Sequence, residues 1–447
     1  MKLLLRLIPN NLRNKFRHYK QTRQAFKKYP PERYPTKWIT HLFFHHKLHL
    51  NQRKASQCLA KLEWESHKHG SNGEWSKFIV DHLSLVETGK ISQHQATNEI
   101  LSKAKRQEPT DYNYQFWLEI KRLLFLVGFI RAGGKLRDHA LDSLLSSAVR
   151  DDKSVNPASV FQTAIEISDF KTAANFEQSA RLRMEKSRAS LLQPTLQALS
   201  SKGRNLNQRI EVSEDVQELC SFAEYIRDKS IAIVGPSVTD TDLSEEIDSY
   251  DIVIRTNFTG EGSLPPGAGK KISASYYAKI SRLMETDPSL IASLELVLLN
   301  YQTTKGEKID SKKIKELGLN TDSIALLLPT SGIFFASVPN AIPHLVHDAI
   351  LAEPRVIKLF KTNLFINPKY PSGYPNNKIA SAVTNKELRP RLFKQYRGFA
   401  YHDPLAQLRF LRQTWKAGLI AGDHEFCQVM NLSDEQYLKH LESVYSL

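Results

Sequence analysis

The sequence predicts an α/β domain over residues 206–447, built on a Rossmann-like and mostly parallel sheet, and preceded by an all-helical domain over 55–205. Past Gly203, short apolar runs bounded by turn residues alternate with segments of helical pattern. This alternation is typical of a parallel sheet covered by helices on both faces. The runs predicted as strands are 230–234, 251–255, 296–299, 324–328 and 355–360.

The region 55–205 shows the periodicity of helices instead. Apolar residues recur at steps of three and four, as at Phe116, Ile120 and Leu123. From 154 to 184 the pattern predicts short helices, broken at Asn156-Pro157 and at Asp169. The composition indicates a packing or docking module and carries no recognisable chemistry.

Residues 1–54 hold most of the positive charge of the chain. They contain fourteen Lys or Arg and one acidic residue, Glu32, and so carry +13 of the formal net charge of +15. Aromatic residues such as Phe16, Tyr29 and Trp38 are interleaved with the basic ones. This pattern favours an anionic membrane surface, where each Lys or Arg adds about 1 kcal/mol. A solvated basic face packed on the next domain is the second interpretation, and nucleic-acid binding ranks last.

Neither a transmembrane helix nor a signal peptide is expected. The longest apolar run of the first half, 123–130, is much shorter than the roughly 20 residues that a bilayer requires. The apolar opening of the chain is interrupted by Arg6 and Pro9. The three cysteines are far apart and odd in number, so no disulfide framework or zinc site is indicated. We therefore expect a cytoplasmic protein that is peripheral on the inner face of a membrane.

Polar residues at the ends of the first two predicted strands are the first candidates for ligand contact. Gly235-Pro236-Ser237 is a small-residue turn in which the backbone could approach a phosphate. Asn257 follows the second strand, at the edge of the sheet where α/β proteins bind ligands. Arg255, within that strand, is predicted to form a structural ion pair with Asp248 or Asp251 rather than a ligand contact.

The fourth predicted strand leads into a second candidate turn. Pro329-Thr330-Ser331-Gly332 precedes the apolar stretch 333–336, which the sequence predicts as a helix. Thr330 or Ser331 could cap that helix. Alternatively, their hydroxyl groups and the nearby backbone N–H groups could hold a ribose or a phosphate.

In this order, the pieces resemble the sialylmotifs of the animal-type sialyltransferases, glycosyltransferase family 29. Residues 231–237 and 246–257 resemble the large sialylmotif, and 267–271 resembles its end. Residues 328–336 resemble the small sialylmotif, and 400–407 resembles the aromatic third motif running into the very short motif. The resemblance covers about 225–425 and is to a divergent, bacterial-type member with an extra helical domain.

The resemblance implies a GT-A-like, inverting, metal-independent transferase with a CMP-sugar donor and no cofactor. His402 would be the catalytic base. This role suits inversion, because a base must take the proton of the attacking hydroxyl and histidine titrates near neutral pH. The nucleotide contacts implied by position are Gly235, Ser237, Asn257, Thr330, Ser331 and Gly332.

One acidic pair competes with the metal-independent interpretation. Asp240 and Asp242 have the spacing by which many glycosyltransferases hold a metal ion with a nucleotide sugar. Capping of a following helix by Asp242, ahead of Ser244-Glu245-Glu246, is the favoured interpretation. No metal site is therefore predicted.

The sequence also departs from the family pattern. Pro236, Gly267 and Gln407 replace residues that the family often has, and no cysteine lies in either sialylmotif. We expect transfer of sialic acid from CMP-sialic acid to a glycan acceptor of a capsule, lipooligosaccharide or glycolipid, with CMP-Kdo as the alternative donor. An alternative of another class is a non-catalytic nucleotide-binding scaffold of a polysaccharide-assembly complex, which the substitutions at Gly267 and Gln407 favour.

Overall fold

The structure of the chain is a computed structural model. It covers residues 74–150, 155–200, 222–278, 280–300, 323–328, 332–367, 369–374, 395–396 and 398–445. The described residues fall into two compact units, one ending at Ser146 and the other running from Ser147 to Tyr445. The sequence predicts a boundary at 205/206; in the structure, the helices between 155 and 200 belong to the same unit as the sheet. The basic segment 1–54 lies outside the described residues.

The first unit contains helices whose ends are set by capping side chains. Ser92 accepts the N–H of Gln95, and Asn113 accepts the N–H of Phe116, so each satisfies a backbone donor that the first helical turn leaves open. The apolar face predicted from the spacing of Phe116 and Ile120 is buried. The helices are α1 (Glu74–Glu87), α2 (Gln93–Lys105), α3 (Tyr114–Leu126) and most of α4 (Ile130–Val149), with a 3-10 turn at Pro109–Asp111.

The second unit begins with a group of short helices. Asn156 caps the first through the N–H of Ala158, and Asp169 caps the second through the N–H of Thr172. The two predicted breaks are therefore confirmed, and each is a helix start. The helices are α5 (Pro157–Glu166), α6 (Phe170–Arg181), α7 (Lys186–Ala189), α8 (Leu192–Ser200) and α9 (Phe222–Ile226).

A seven-stranded sheet forms the centre of the second unit. Its order is β5-β4-β3-β2-β1-β6-β7, and every paired register is parallel. The α/β class with a parallel sheet is thus confirmed, and all five predicted strands are present. The strands are β1 (Ser230–Val234), β2 (Ile252–Thr256), β3 (Ala274–Tyr277), β4 (Leu296–Asn300), β5 (Ile324–Leu327), β6 (Val356–Phe360) and β7 (Ala421–Gly422).

Strands such as β1, β2 and β4 are buried along their whole length, on both faces, which explains why they are continuous apolar runs. Val234, Val253 and Phe360 belong to one buried cluster, and Tyr277 and Val297 belong to a second cluster that lies farther along the same face of the sheet. The covering and connecting helices are α10 (Ser244–Asp248), α11 (Ile280–Met284), α12 (Pro288–Ala292), α13 (Ala341–Leu351), α14 (Pro404–Lys416), α15 (His424–Asn431) and α16 (Asp434–Val444), with a 3-10 turn at Glu261–Ser263.

The predicted helix at 333–336 is wrong. Residues 332–336 form turns, and Ala336 has a φ of 48°, which the right-handed helix does not allow. The helix that follows, α13, begins only at Ala341.

Within the described ranges, no helix combines the length and the apolar character that crossing a bilayer would require.

Candidate functional site

The turn after β1 is closed by backbone pairing. Gly235 N–H donates to Phe360 O at 2.8 Å, and Ser237 N–H donates to Lys361 O at 3.1 Å. Both donors predicted to approach a phosphate are therefore already used. A Cβ on Gly235 would lie 2.5 Å from Lys361 O, so this close approach of the chain after β6 accounts for the glycine. Ser237 is only 2% exposed.

Arg255 has a structural role, but its partners differ from those predicted. Its guanidinium donates to the carbonyl oxygens of Ala268 (2.7 Å), Gly269 (3.2 Å) and Lys271 (3.1 Å). Asp248 accepts the backbone N–H groups of Lys270 and Lys271, so it binds the donors of the same turn whose carbonyl oxygens bind Arg255. Burial of the guanidinium lowers the pKa of Arg255 to about 10, while the negative charge of Asp248 opposes that shift.

Asp251, the other predicted partner of Arg255, is engaged elsewhere. Its carboxylate accepts the N–H of Ser230 at 2.8 Å and pairs with Arg355 at 2.8 Å. The predicted ion pair between Arg255 and Asp251 is therefore wrong, because this carboxylate bridges the amino end of β1 to Arg355, next to β6.

A small pocket of mixed polar and apolar lining lies at the carboxyl ends of β1 and β2. Its lining includes the polar side chains of Arg255, Thr256 and Tyr374 and the ring of Pro236. Arg255 is 3% exposed, and its Nη1 atom has no hydrogen-bond partner among the described residues. The Tyr374 hydroxyl lies 3.4 Å from Thr256 Oγ1, which is long for a hydrogen bond between oxygens. The space admits about one water-sized group, so it suits a single oxygen-bearing group rather than a whole nucleotide.

Asn257 lies beside this pocket. It adopts a left-handed conformation, with φ of 51°, which turns the chain away from the sheet directly after β2. Its N–H donates to Tyr276 O at 2.8 Å, and its Nδ2 donates to the Tyr374 hydroxyl at 3.3 Å. Burial raises the pKa of Tyr374, so its hydroxyl keeps its proton at neutral pH. The predicted position of Asn257 at the carboxyl edge is confirmed.

The second candidate turn is described in part. Thr330 and Ser331 lie outside the described residues. Gly332 is described, and its carbonyl oxygen accepts a hydrogen bond from Gln162 Nε2 at 2.9 Å. The structure describes the chain up to Leu328 and again from Gly332.

His402 is the last residue of a helical stretch at 398–402, immediately before α14. Its Nδ1 lies 2.8 Å from Val338 O. Because a carbonyl oxygen only accepts, we assign a proton to Nδ1, and in the neutral ring the proton-accepting lone pair is then on Nε2. Val338 N–H in turn donates to Tyr401 O at 3.2 Å. Residues near the small-motif-like and very-short-motif-like segments therefore contact each other.

Gln407, which the sequence marks as a departure from the family, fixes the position of His402. It is 1% exposed. Its Oε1 accepts the N–H of Asn340 at 3.0 Å, and its Nε2 donates to the carbonyl oxygen of His402. A second, longer contact joins Nε2 to Asp403 O at 3.4 Å. The amide thus acts as acceptor on one side and donor on the other.

A continuous series of hydrogen bonds connects Asn257 with His402, although 145 positions separate them in the chain. Asn257 is bonded to the backbone of Tyr276, whose hydroxyl lies 3.3 Å from His344 Nδ1. His344 N–H donates to Asn340 O at 3.1 Å, and Asn340 is held by Gln407. Asn257 and His402 are therefore linked through one network of hydrogen bonds within the unit.

Of the acidic pair near β1, Asp242 lies beside the start of α10 but does not cap it as predicted, because Leu243 holds the N-cap position. Asp242 Oδ1 accepts the N–H of Ser244, the first residue of α10, at 2.9 Å. Hydrogen bonding by the side chain and the backbone N–H of Ser244 lowers the pKa of Asp242. Among the described residues, no group of three or more His, Cys, Asp or Glu has the arrangement of a metal site.

Two residues of this edge escaped the sequence analysis. Tyr374 follows β6 in a segment rich in Pro, Gly and Tyr, and only that aromatic enrichment next to a strand end could have drawn attention to it. His344 is buried on α13, and nothing in its local sequence distinguishes it from a core residue.

No protein-family model, no curated protein and no solved structure matches the chain. What the molecule itself defines is an α/β protein with a polar site at the carboxyl edge of a parallel sheet.

Proposed function

We propose that the protein is an inverting, metal-independent, GT-A-like glycosyltransferase that uses CMP-sialic acid, with CMP-Kdo as the alternative donor. The observation that carries the proposal is the hydrogen-bonded series from Asn257 to His402. It joins the segments that resemble the large and very short sialylmotifs, and it starts at Asn257, at the edge of the sheet where α/β proteins bind ligands. A glycan or glycolipid is the proposed acceptor.

In this proposal His402 is the general base. Its Nδ1–H is held by Val338 O, so Nε2 is the nitrogen that takes the proton of the acceptor hydroxyl. The hydroxyl oxygen forms a bond to the anomeric carbon, and the bond from that carbon to the CMP phosphate breaks. The electron pair leaves with CMP, and attack from the opposite side inverts the configuration. The transition state has oxocarbenium character, so donors near the departing phosphate oxygen stabilise it.

The pocket beside Asn257 is the proposed seat for one oxygen of the donor's phosphate. Arg255 and Tyr374 line the pocket and are the proposed donors to this oxygen, and both side chains are held in place by buried contacts. Preorganised donors of this kind act without reorganisation at the moment when charge develops on the leaving group. The rest of the nucleotide would lie outside the pocket, along the edge towards His402.

The proposal is tested by CMP release from CMP-Neu5Ac and, separately, from enzymatically generated CMP-Kdo. Each donor is incubated with the full-length protein, a mixed panel of glycan and glycolipid acceptors, and excess EDTA. We expect turnover of one donor, undiminished by EDTA. The donor that turns over identifies the sugar.

A non-catalytic nucleotide-binding scaffold is the second candidate. It is favoured by Gln407, which replaces a residue that the resembling family often has and places an amide instead of a charged group against the backbone of His402. Calorimetry separates the two candidates. CMP binding without turnover of either donor would identify the scaffold, whereas absence of both binding and turnover would exclude the transferase and the scaffold together.

Removing the hydroxyl of Tyr374 tests the phosphate seat. We expect Tyr374→Phe to weaken CMP binding about tenfold and to leave cytidine binding unchanged, since one hydrogen bond to a charged group contributes about 1.5 kcal/mol or more. The measurement is the Kd of each ligand by isothermal titration calorimetry.

The matched control is Tyr370→Phe, which makes the same chemical change in the ring that packs on Tyr374 at a centroid distance of 5.6 Å. It should bind both ligands like the wild type. Equal weakening of CMP and cytidine in Tyr374→Phe would show that the hydroxyl does not distinguish the phosphate, and the seat would then be assigned wrongly.

A further inference from the structure

The connection between α6 and α7 presents an apolar side chain to water. Leu182 is 83% exposed, and both Arg181 before it and Arg183 after it are exposed as well. Contact between a large apolar side chain and water is unfavourable. Single leucines are nevertheless common on protein surfaces, so Leu182 by itself indicates no function. The charges and the packing around Leu182 are therefore the observations that bear on its role.

The surroundings of Leu182 are positively charged. Residues 181–188, the α6–α7 corner, contain four basic residues and one acidic residue, which gives a formal charge of +3. These residues are Arg181, Arg183, Lys186, Arg188 and Glu185. Glu177 lies 3.6 Å from Arg181, and Glu185 lies 3.7 Å from Arg188. Both distances exceed the roughly 2.7–2.9 Å of a charge-assisted hydrogen bond, so these pairs are loose and leave the guanidinium groups able to bind other anions.

The exposed side of α6, a helix that the structure describes in full, carries no exposed acidic residue. Residues at steps of three and four share one face of a helix. The exposed residues on the face that leads to the corner are Lys171, Ala174, Asn175, Gln178 and Leu182. Glu177, the acidic residue of α6, is only partly exposed and is the partner of Arg181. A negatively charged surface can therefore approach α6 along this face without repulsion from exposed carboxylates.

The α6–α7 corner is supported by the rest of the second unit. The N–H groups of Leu182 and Met184 donate to Gln178 O and Arg181 O, both at 3.3 Å, which keeps the chain in a tight turn after α6. Met184 lies against Gly332, where a Cβ would come within 2.9 Å of the Met184 Cε. Leu182 is therefore presented on a packed turn, so little conformational entropy is lost when this residue is bound.

We propose that the α6–α7 corner binds an anionic phospholipid bilayer, with Leu182 inserted next to the headgroups and the basic side chains bound to lipid phosphates. Guanidinium groups pair with phosphate oxygens, and a negatively charged leaflet attracts clustered basic residues. Nucleic acid would also attract the basic side chains, but it offers the leucine no apolar environment. A bilayer takes up an exposed apolar side chain without a shaped pocket. The inference concerns a surface of α6 and α7, and it is independent of the sugar donor and of residues 1–54.

The test is cosedimentation of the full-length protein with sucrose-loaded vesicles, made either of phosphatidylcholine alone or of phosphatidylcholine and phosphatidylglycerol in equal amounts. Leu182→Ser removes the apolar anchor, and the double variant Arg183→Gln/Lys186→Gln removes two positive charges. We expect the double variant to bind the mixed vesicles about 25-fold more weakly, since each basic residue near an anionic surface contributes about fivefold. Leu182→Ser should bind them about fivefold more weakly, because the inserted apolar surface is lost.

Matched controls make the same chemical changes away from the corner. Val149→Ser alters another strongly exposed aliphatic side chain, which is 88% exposed. Lys416→Gln/Lys439→Gln removes two exposed charges from α14 and α16, so this control has the same net charge as the double variant of the corner. Both controls should bind the mixed vesicles like the wild type. All four variants should keep the wild-type melting temperature, because the substituted side chains are exposed.

Hydrogen–deuterium exchange locates the contact independently of residues 1–54. Mixed vesicles should slow exchange in the peptide 181–189 of the wild type, whereas phosphatidylcholine vesicles should not, with the peptide 434–444 as the internal reference. Unslowed exchange in 181–189 would overturn the inference even if the protein sediments with the vesicles, because another surface would then make the contact and the corner would be left to an acidic protein or a nucleic acid. Equal weakening by the corner variants and by their controls would also overturn it, since net charge rather than the corner would then set the affinity.

Discussion

Replacing His402 by glutamine is expected to lower kcat for sugar transfer by about 10²–10⁴-fold, the usual contribution of general acid–base catalysis. Glutamine can still donate a hydrogen bond to Val338 O, the partner of His402 Nδ1. It has no basic nitrogen to take the proton of the acceptor hydroxyl. The variant should therefore bind CMP with the Kd of the wild type while losing turnover, and the pair of measurements separates loss of the base from loss of the site.

The matched control for this experiment is His424→Gln. His424 is exposed at the start of α15, where its Nε2 contacts Gln428 at 2.9 Å. The same substitution there should leave kcat and the Kd of CMP unchanged. If His402→Gln retained more than about a tenth of the wild-type kcat, His402 would not be the base, and the mechanism would need another proton acceptor.

The strands were predictable wherever burial on both faces makes a run of apolar residues. β1 (Ser230–Val234) and β4 (Leu296–Asn300) are of this kind. β3 was missed because Ala274–Tyr277 contains Ser and Tyr instead of an aliphatic run, although all four residues are buried. The two tyrosines can be buried because their hydroxyl groups are hydrogen-bonded, that of Tyr277 to Phe258 O and that of Tyr276 to His344 Nδ1. β7 was missed because a strand of only two residues, Ala421–Gly422, leaves no periodicity to detect.

The domain boundary escaped prediction for a different reason. The change from helical to strand pattern near Gly203 is a change of local structure, which the sequence records. Membership of a compact unit depends on long-range contacts, such as that from Gln162 to Gly332 across 170 positions. A single sequence carries no signal for a pairing of that kind.

The site was predictable in its outline but not in its connections. Asn257 could be placed at the carboxyl edge because the strand before it is an apolar run with a clear end. The expected ion pair of Arg255 was wrong because three carbonyl oxygens, at Ala268, Gly269 and Lys271, satisfy the guanidinium instead. Turns that present carbonyl oxygens to a buried side chain leave no compositional signature.

Replacing Gln407 by glutamate, the residue that the resembling family often has here, is expected to destabilise the protein at neutral pH. The side chain is 1% exposed, and its Nε2 donates to His402 O and Asp403 O. A carboxylate would place a negative charge against two carbonyl oxygens in a buried site. We expect a loss of about 3 kcal/mol in the free energy of unfolding, which lowers Tm by about 5–10 °C.

The pH dependence of the loss in unfolding free energy shows whether the negative charge of the introduced carboxylate causes it. Burial against carbonyl oxygens raises the folded-state pKa of the introduced carboxyl above its unfolded value of about 4.3. Below that unfolded value the group is protonated in both states, and a neutral carboxyl can donate to His402 O while accepting from Asn340 N–H, as the amide does. The destabilisation is therefore small near pH 4 and grows as the pH rises from the unfolded pKa towards the raised folded pKa.

The measurement compares Tm for Gln407→Glu and wild type between pH 4 and pH 8, with Gln428→Glu, an exposed glutamine on α15, as the matched control. The control should follow the wild type at every pH. Equal stability of Gln407→Glu and wild type at pH 8 would mean that the site accepts a carboxylate, so that Gln407 does not act as a donor to His402 O. Loss of stability confined to high pH, accompanied by a fall in kcat, would instead show that Gln407 orients His402 in this chain. The departure from the family pattern at this position would then have a role in the site.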